Sequence, residues 1–402
     1  MKNYAVVTAA YWSFTLTDSA LRMLILLHFH ALGYSPFKLA TLFLLYEFMG
    51  ILTNLVGGWL ASQFGLRLTL FTGLLIQIFA LLALSTLNPS WPQQFSVFFV
   101  LCIQGLSGVA KDLSKMSSKS AVKLAAHTNT HSALFKWTAF LTGSKNALKG
   151  LGFFVGSLLL AKTGFKTSLL IMSTYLAIIL IFTKINLAKS FGGNLSKTTF
   201  SSILSKTQSI NFLSLARALL FGARDVWFVV GLPVFLYDVL NWNFETIGIF
   251  FACWVIGYGA AQGLAPRFVK QSSLGLINEI HITTRWTFGL CFITIILTAA
   301  FYFGINPLIC VVVGLSIFGL IFAINSSLHS FLILALTKTS DVTLNVGFYY
   351  MANAVGRFLG TLLSGIIYQI GGLFGCLVVA SIMIGLSGFF ISQLKKFNKI
   401  SP

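Results

Sequence analysis

The stretch 104–123, QGLSGVAKDLSKMSSKSAVK, places charged residues inside a part of the chain that is otherwise built for a lipid bilayer. An apolar run precedes it, and LTGSKNALKGLGFFVG follows at 141–156 after a short polar turn. Lys111, Asp112, Lys145 and Lys149 therefore belong to two predicted membrane helices. A charge at mid-bilayer costs roughly 2.5–3.5 kcal/mol even on the translocon scale, so we expect these residues to face a polar cavity.

The composition indicates that the rest of the chain is also embedded in a membrane. Of 402 residues, 57% are hydrophobic and 9% are charged, and the mean hydropathy is +0.89. The apolar runs are far longer than β-barrel strands, so we predict an all-α integral membrane protein with twelve transmembrane helices. We place these helices near 5–31, 38–61, 68–87, 94–117, 136–160, 165–186, 211–237, 244–265, 285–304, 306–335, 342–369 and 372–394.

The basic residues predict an orientation rather than nucleic-acid binding. The formal net charge is +19, but no basic cluster forms a soluble module. Sixteen lysines and arginines lie in segments that would be cytoplasmic if the N-terminus is inside, against three (Lys38, Lys162 and Lys166) in the external loops. This positive-inside bias predicts a plasma (inner) membrane protein with both termini in the cytoplasm.

A polar break divides the predicted helices into two sets of six. Residues 187–210 are rich in Gly, Ser, Thr and Lys, and we interpret them as a cytoplasmic linker. The predicted domains are an N-terminal six-helix bundle at 1–186 and a C-terminal six-helix bundle at 211–402. A 6+6 arrangement with a basic linker is typical of the major facilitator fold.

Several spans carry their polar residues on one helical face. Asp18 and Arg22 are one turn apart and can pair, either to fix helix packing or to line a path. Arg217 and Arg224 are seven residues apart and share a face, whereas Asp225 is turned by about 100° from Arg224. Two further stripes are Lys145, Lys149, Gly152 and Gly156, where glycines four apart allow close helix approach, and Tyr350, Asn353 and Arg357.

The charges inside the predicted spans are predominantly positive. The basic residues are Arg22, Lys111, Lys145, Lys149, Arg217, Arg224 and Arg357, and the acidic ones are Asp18, Glu47, Asp112 and Asp225. Seven against four leaves an excess of about +3, which is hard to sustain in an empty cavity. We therefore predict a small anionic substrate, with the acids as counter-charges or, for one of them, as a proton carrier.

The end of the second span resembles a loop motif of the major facilitator superfamily. In GGWLASQFGLR, Gly58, Leu60, Gly65 and Arg67 match the pattern G-x-L-x-D-x-x-G-x-R. Ser62 stands where that family usually has aspartate. The resemblance implies a gating loop that involves Gly58, Gly65 and Arg67 but lacks the acidic half of its charge latch.

Longer blocks sharpen the resemblance. YWSFTLTDSALRMLILLHFHALGYSP, LLYEFMGILTNLVGGWL, LTGSKNALKGLGFFVG and LFGARDVWFVVGLPVFLY, together with 104–123, resemble the ArsJ-type organoarsenical efflux branch of that superfamily. The resemblance implies arsenate resistance through export of 1-arseno-3-phosphoglycerate, which a glyceraldehyde-3-phosphate dehydrogenase makes from arsenate. It also implies alternating access by rocking of the two halves. We expect Lys111, Lys145 and Lys149 to hold one anionic end and Arg217, Arg224 and Arg357 the other.

Three other functions stay open on these residues. The first is an organophosphate/phosphate exchanger, and the second is a proton-coupled drug exporter, although span five lacks the Gly-Pro signature of that group. The third is a membrane enzyme that uses His329 near Ser326 and Ser327, for which a polar packing patch is the better explanation. The five cysteines are single, which weighs against a trivalent arsenite carrier. We predict no catalytic residue, no metal and no cofactor.

Overall fold

The computed structural model describes residues 2–64, 66–125, 131–188, 207–268, 276–337 and 342–398. Every regular element in these ranges is helical. The helices are α1 (Lys2–Ala31), α2 (Pro36–Phe64), α3 (Leu66–Ser85), α4 (Gln93–Ala125), α5 (His131–Asn186), α6 (Gln208–Phe228), α7 (Gly231–Asp238), α8 (Phe244–Phe268), α9 (Leu276–Tyr302), α10 (Pro307–Ile309), α11 (Leu315–Ala335) and α12 (Val342–Asn398). A π-helical turn, Cys310–Gly314, joins α10 to α11. The predicted all-α architecture is confirmed.

Nine helical stretches in the described ranges are long and apolar enough to cross a membrane. Two of them, Ser144–Asn186 and Asn345–Lys396, have 43 and 52 residues, about twice the length that one crossing needs. Each contains a glycine in a left-handed conformation that breaks the helix, Gly164 (φ 76°) and Gly372 (φ 57°). Both glycines lie at predicted span boundaries. The count of twelve spans stays a prediction.

Helix α1 is not among these nine stretches. It is 30 residues long, but Asp18, Arg22 and several Thr and Ser residues lower the hydropathy of every window in it. Its polar side chains are buried all the same: Thr15, Thr17, Asp18 and Ser19 are at most 8% exposed. The helix therefore carries polar groups that the surrounding protein encloses.

The chain divides into two compact units. The first comprises Met1–Tyr34, Thr41–Phe200 and Asn243–Ile256, and the second comprises Ser35–Ala40, Ser201–Trp242 and Gly257–Pro402. The predicted linker lies almost entirely outside the described residues. The predicted domain boundaries at 186 and 211 stay a prediction.

In the first unit, glycines on α5 bring its backbone against α1. A Cβ atom built on Gly152 would lie 2.5 Å from the carbonyl oxygen of Leu16, and one built on Gly156 would clash with the carbonyl oxygen of Ala20. Backbone atoms cannot move aside as a flexible side chain can. The close helix approach that the spacing of these glycines predicts is confirmed.

The second unit repeats this arrangement on α12 and α6. A Cβ atom on Gly356 would clash with the carbonyl oxygen of Ala218, and one on Gly360 would lie 2.6 Å from that of Gly222. Helix α6 is the enclosed element of this unit. In the stretch Gln208–Asp238, which covers α6 and α7, 83% of the most apolar segment is buried, against 28% in the Ile277–Tyr302 stretch of α9. Charged residues on α6 are thus held in a protein interior.

We expect Gly156→Ala to lower the free energy of unfolding by about 1–3 kcal/mol, because the added methyl group overpacks a helix crossing made of backbone. The matched control is Gly289→Ala on α9, where an added Cβ atom would meet nothing within 4 Å. That variant should instead gain about 0.5–1 kcal/mol from helix propensity. Unfolding of the two purified variants in mixed micelles measures both changes. A loss of equal size in both would show that the close crossing is not the cause.

Candidate functional site

The first polar cluster, here called the N cluster, belongs to α1, α2, α4 and α5 of the first unit. It comprises Asp18, Arg22, Tyr46, Glu47, Thr53, Asn54, Lys111, Asp112, Lys115 and Lys149. The four helices supply these residues from positions far apart in sequence. The cluster therefore exists only in the folded unit.

The carboxylate of Asp18 accepts a hydrogen bond from a tyrosine hydroxyl and does not form an ion pair with a described cation. Its side chain is 8% exposed, and the hydroxyl of Tyr46 donates to both Oδ1 and Oδ2, each at 2.8 Å. The ammonium of Lys111 lies 4.0 Å from the centre of the Tyr46 ring. The charges of Lys111, Arg22 and Lys149 act on the carboxylate from a greater distance. Within the described ranges, Asp18 has no cation within 4 Å.

Arg22 forms its ion pair with Glu47 on α2. The Nη1–Oε1 distance is 2.8 Å, and the two side chains are 11% and 1% exposed. The possible pairing of Asp18 with Arg22 inside span one is therefore corrected. The physical reason is that Glu47 is buried and needs a cation, whereas Asp18 already has Tyr46 as a donor. The rings of Tyr46 and Phe43 lie 4.8 and 5.3 Å from the guanidinium carbon.

Asp112 on α4 is paired within its own helix. Lys115 lies 3.2 Å from Oδ1, and the hydroxyl of Thr53 donates to Oδ2 at 2.6 Å. Lys115 also donates to Oδ1 of Asn54 at 2.7 Å. Lys115 is not among the residues that the sequence predicts to bind the substrate. In the fold it neutralises Asp112.

The two lysines of α5 that the sequence predicts to bind the substrate, Lys145 and Lys149, are both half-buried. Lys149 lies 5.5 Å from the centre of the Phe153 ring, and its charge reaches Asp18. Lys145 lies one turn earlier on the same helix. The fold thus brings Lys111 and Lys149 together around Asp18, as predicted for residues that surround one polar region.

The second polar cluster, here called the C cluster, lies within the second unit. It comprises Arg217, Arg224, Asp225, Ser326, His329, Tyr349, Asn353 and Arg357 on α6, α11 and α12. Arg217 and Arg224 share one ring, since their guanidinium carbons lie 3.9 and 5.0 Å from the centre of Phe221. The two arginines therefore face the same region, as their spacing predicts.

Asp225 forms ion pairs with two arginines. Arg224 donates from Nε to Oδ1 at 2.7 Å, with Nη2 at 2.5 Å from the same oxygen. Arg357 on α12 lies 3.6 Å from Oδ2. The expectation that Asp225 points about 100° away from Arg224 is wrong for the side-chain ends, because the long arginine side chain folds back to its neighbour. The predicted counter-charge is therefore in contact with two of the predicted cations.

Within the part of the chain that the structure describes, Arg217 has only neutral hydrogen-bond partners. It is 5% exposed; Nε donates to Oδ1 of Asn353 and Nη1 to the backbone carbonyl of Ser326, both at 3.0 Å. The ring centre of Tyr349 lies 5.0 Å from its guanidinium carbon. Among the residues that the structure describes, no carboxylate lies within ion-pair distance of this guanidinium. A buried positive charge is thus left without a counter-charge.

The stripe predicted on span eleven is divided by the fold. Asn353 contacts Arg217 and Arg357 contacts Asp225, so both face α6. Tyr350 instead packs against an apolar cluster that includes Leu213 and Leu394. The tyrosine that contacts Arg217 is its neighbour, Tyr349. The sequence does not identify Tyr349, because adjacent residues on a helix point in different directions and the local sequence does not show which of the two contacts α6.

The predicted gating loop is only partly within the described residues. Gly58 lies in α2, and Gly65 lies outside the described residues. Arg67 is the second residue of α3, and its guanidinium carbon lies 5.2 Å from the centre of the Phe71 ring. The gating role of these three residues stays a prediction. The assignment of all predicted site residues to substrate binding or to counter-charge likewise stays a prediction, although their contacts are now described.

Comparison with known proteins places the chain by its fold. No family model matches the sequence, and no curated protein matches it, so the likeness to the organoarsenical efflux branch stays a prediction. A crystal structure of a POT family transporter in complex with a thioalcohol-conjugated peptide matches with a TM-score of 0.74 at 13% identity, covering 98% of this chain and 96% of that one. In all, 289 solved chains are structurally similar, and a fold so widely shared does not specify a substrate. The chain has the major facilitator fold of an all-α, multi-pass membrane protein.

Proposed function

We propose that the protein is a secondary transporter that exports a small organic anion by alternating access. The observation that carries this proposal is Arg217, a guanidinium that is 5% exposed and has only neutral hydrogen-bond partners among the described residues. Desolvating a charge without a counter-charge is costly. A substrate that brings negative charge to Arg217 would remove that cost, whereas a cationic substrate would add to it.

The ion pairs within each unit support the same conclusion. Three of the four acids predicted inside the spans already have cationic partners: Glu47 pairs with Arg22 and Asp112 with Lys115 in the first unit, and Asp225 pairs with two arginines in the second. Lys111 has no carboxylate within 4 Å in the part of the chain that the structure describes. The acids thus neutralise other cations, and an excess of positive charge is left for a ligand. This pattern favours an anion over the cationic or lipophilic substrates of a drug exporter.

We further propose that the anion is 1-arseno-3-phosphoglycerate. The support is the likeness of five sequence blocks to organoarsenical efflux proteins, together with clusters that offer both lysine ammonium groups and arginine guanidinium groups. Guanidinium forks bind phosphate-like oxyanions through two parallel hydrogen bonds. This proposal includes a functional link to a glyceraldehyde-3-phosphate dehydrogenase and location in the plasma membrane with both termini inside. An anion leaving a negative-inside cell gains about 2.3 kcal/mol per charge per 100 mV, so the membrane potential favours the exit of the anion whether the protein works by proton antiport, phosphate exchange or electrogenic export.

The test measures arsenate resistance and cellular arsenic in cells that lack other arsenic pumps. Each strain carries the dehydrogenase or lacks it, and produces the wild-type protein, Lys149→Ala or Lys162→Ala. We expect resistance to need both proteins and to be lost with Lys149→Ala, because that lysine belongs to the N cluster. Lys162→Ala is the matched control on the same helix, since its side chain is 66% exposed and pairs with Glu245.

The outcomes separate the proposal from its alternatives. Unchanged arsenic content in every strain would contradict the organoarsenical substrate and leave a transporter of another organic anion. Exchange of labelled phosphate against a phosphate ester in vesicles would then identify an organophosphate/phosphate exchanger. Equal loss of resistance in Lys149→Ala and Lys162→Ala would mean that the N cluster has no special role.

A further inference from the structure

His329, on α11, is a buried imidazole whose polar atoms have no partner. Its side chain is 0% exposed, and neither Nδ1 nor Nε2 has a hydrogen-bond partner within the described ranges. A neutral imidazole offers one donor and one acceptor. Leaving both unsatisfied inside a protein is a direct cost to the folded state. A buried polar group of this kind needs an explanation such as a ligand.

Arg217 reaches the same face of α11. Its Nη1 donates to the backbone carbonyl of Ser326 at 3.0 Å, and residues three apart on a helix are neighbours on its surface, so His329 follows Ser326 on that face. The charge of Arg217 acts on the imidazole. The Nη2 group of Arg217 donates to no protein acceptor in the described part of the chain. Donor groups without a described acceptor, one on α6 and one on α11, thus lie on the same face of α11.

We propose that Arg217 and His329 form an oxyanion-binding site within the second unit, and that this site binds a tetrahedral phosphoryl or arsenyl group. The inference rests on the proposed transport of an anion and names the residues that hold one end of it. Arg217 supplies the charge through its free Nη2 edge. His329 supplies a ring N–H, and Asn353 positions the guanidinium by accepting from Nε at 3.0 Å.

The chemistry of the two side chains selects this class of ligand. A cation would be repelled by Arg217, and an apolar group would leave both ring nitrogens unsatisfied. A tetrahedral oxyanion carries several oxygen acceptors in different directions, so one oxygen can meet the guanidinium of α6 while another meets the imidazole of α11. Its charge also neutralises Arg217, which no described carboxylate does. Arg217 and His329 therefore fit an anion-binding site better than a polar packing patch.

The test measures thermal stability of the full-length protein in lipid nanodiscs, with and without inorganic phosphate, inorganic arsenate or 3-phosphoglycerate. These anions should raise the melting temperature of the wild-type protein, because a ligand that binds only the folded state stabilises it. In His329→Leu we expect anion affinity to fall on the order of 10- to 100-fold, the loss of one hydrogen bond to a charged group. Without an anion, this variant should melt at the wild-type temperature or above it, because it removes two unsatisfied polar atoms.

Two further variants make the result specific. His329→Gln keeps an N–H donor and should retain part of the anion response. His28→Leu is the matched control, since His28 lies on α1 of the first unit and stacks on Phe165 at 4.1 Å; its anion response should equal that of the wild type.

The proposal would be overturned if His329→Leu responded to the anions as the wild type does, or if it melted well below the wild type without an anion, which is the result expected of a packing residue. In either case a wild-type response would leave the proposed anion transport standing. If no anion stabilised the wild type, both proposals would fail together.

Discussion

Arg217→Gln is expected to reach the membrane in normal amounts and to export its anion more slowly than the wild type by a factor of about 30 or more, since losing a desolvated charge partner costs about 2–5 kcal/mol or more in other complexes. Folding should be largely spared, because the hydrogen bonds of Arg217 within the described residues go only to neutral groups, Asn353 and the carbonyl of Ser326. Glutamine can still donate to one of these acceptors. The measurement is arsenic efflux from cells that produce the dehydrogenase, normalised to the amount of protein in the membrane.

Two variants show whether this effect is specific to the guanidinium. Arg217→Lys keeps the charge but not the planar fork, so its efflux should fall between those of the wild type and Arg217→Gln. Arg285→Gln on α9 is the matched control, because that arginine is exposed. Wild-type efflux in Arg217→Gln would contradict the assignment of this residue to substrate binding. Loss of the protein from the membrane would mean that Arg217 has a structural role.

Glu47→Gln is expected to have the largest effect on stability. It leaves Arg22, which is 11% exposed, without its carboxylate, and breaking a buried pair by removing one partner costs about 3–5 kcal/mol. The free energy of unfolding of the purified variant in mixed micelles measures this loss. The double variant Arg22→Met/Glu47→Gln removes both charges and should recover most of it, because a buried pair replaced as a whole is often neutral in stability.

A double-mutant cycle also decides between the two acids that Arg22 could use. The coupling energy between Arg22 and Glu47 should exceed that between Arg22 and Asp18, since both carboxylate oxygens of Asp18 share the hydroxyl proton of Tyr46 and lie beyond 4 Å from any described cation. The reverse order would restore the pairing within span one that the sequence left open. If both coupling energies were near zero, the 2.8 Å pair would not contribute to stability.

The helices follow from the sequence because their cause is local. An apolar run near 20 residues long must satisfy its backbone groups internally in a bilayer, and a helix does so without help from the rest of the chain. The same is true of the glycine pairs on α5 and α12, whose four-residue spacing predicts close crossings. Helix α1 shows the limit of this reasoning. Its polar residues make its most apolar segment less apolar than those of the other long helices. Burial of these residues by the surrounding protein explains why the helix can carry them.

The sequence predicts which residues belong to the candidate site, but it does not predict which of them contact one another. Helical spacing identifies polar stripes with Arg22, Lys111, Lys149 and Arg217, and the fold brings stripes from different helices together. Helical spacing does not indicate that Arg22 pairs with Glu47, or that Tyr349 rather than Tyr350 contacts Arg217. The sequence favours a polar packing patch for His329, since it cannot show that the ring nitrogens have no hydrogen-bond partner among the described residues.

The sequence by itself determined that this protein is helical and membrane-embedded, and that its spans carry more positive than negative charge. Those properties depend on residue composition and on distances along one helix. Only the tertiary structure decided which acid neutralises which base, and that Arg217 and His329 have no acidic partner among the described residues. The physical reason is that an ion pair forms where two side chains from separate helices come within about 4 Å, and that distance is set by packing rather than by position in the chain.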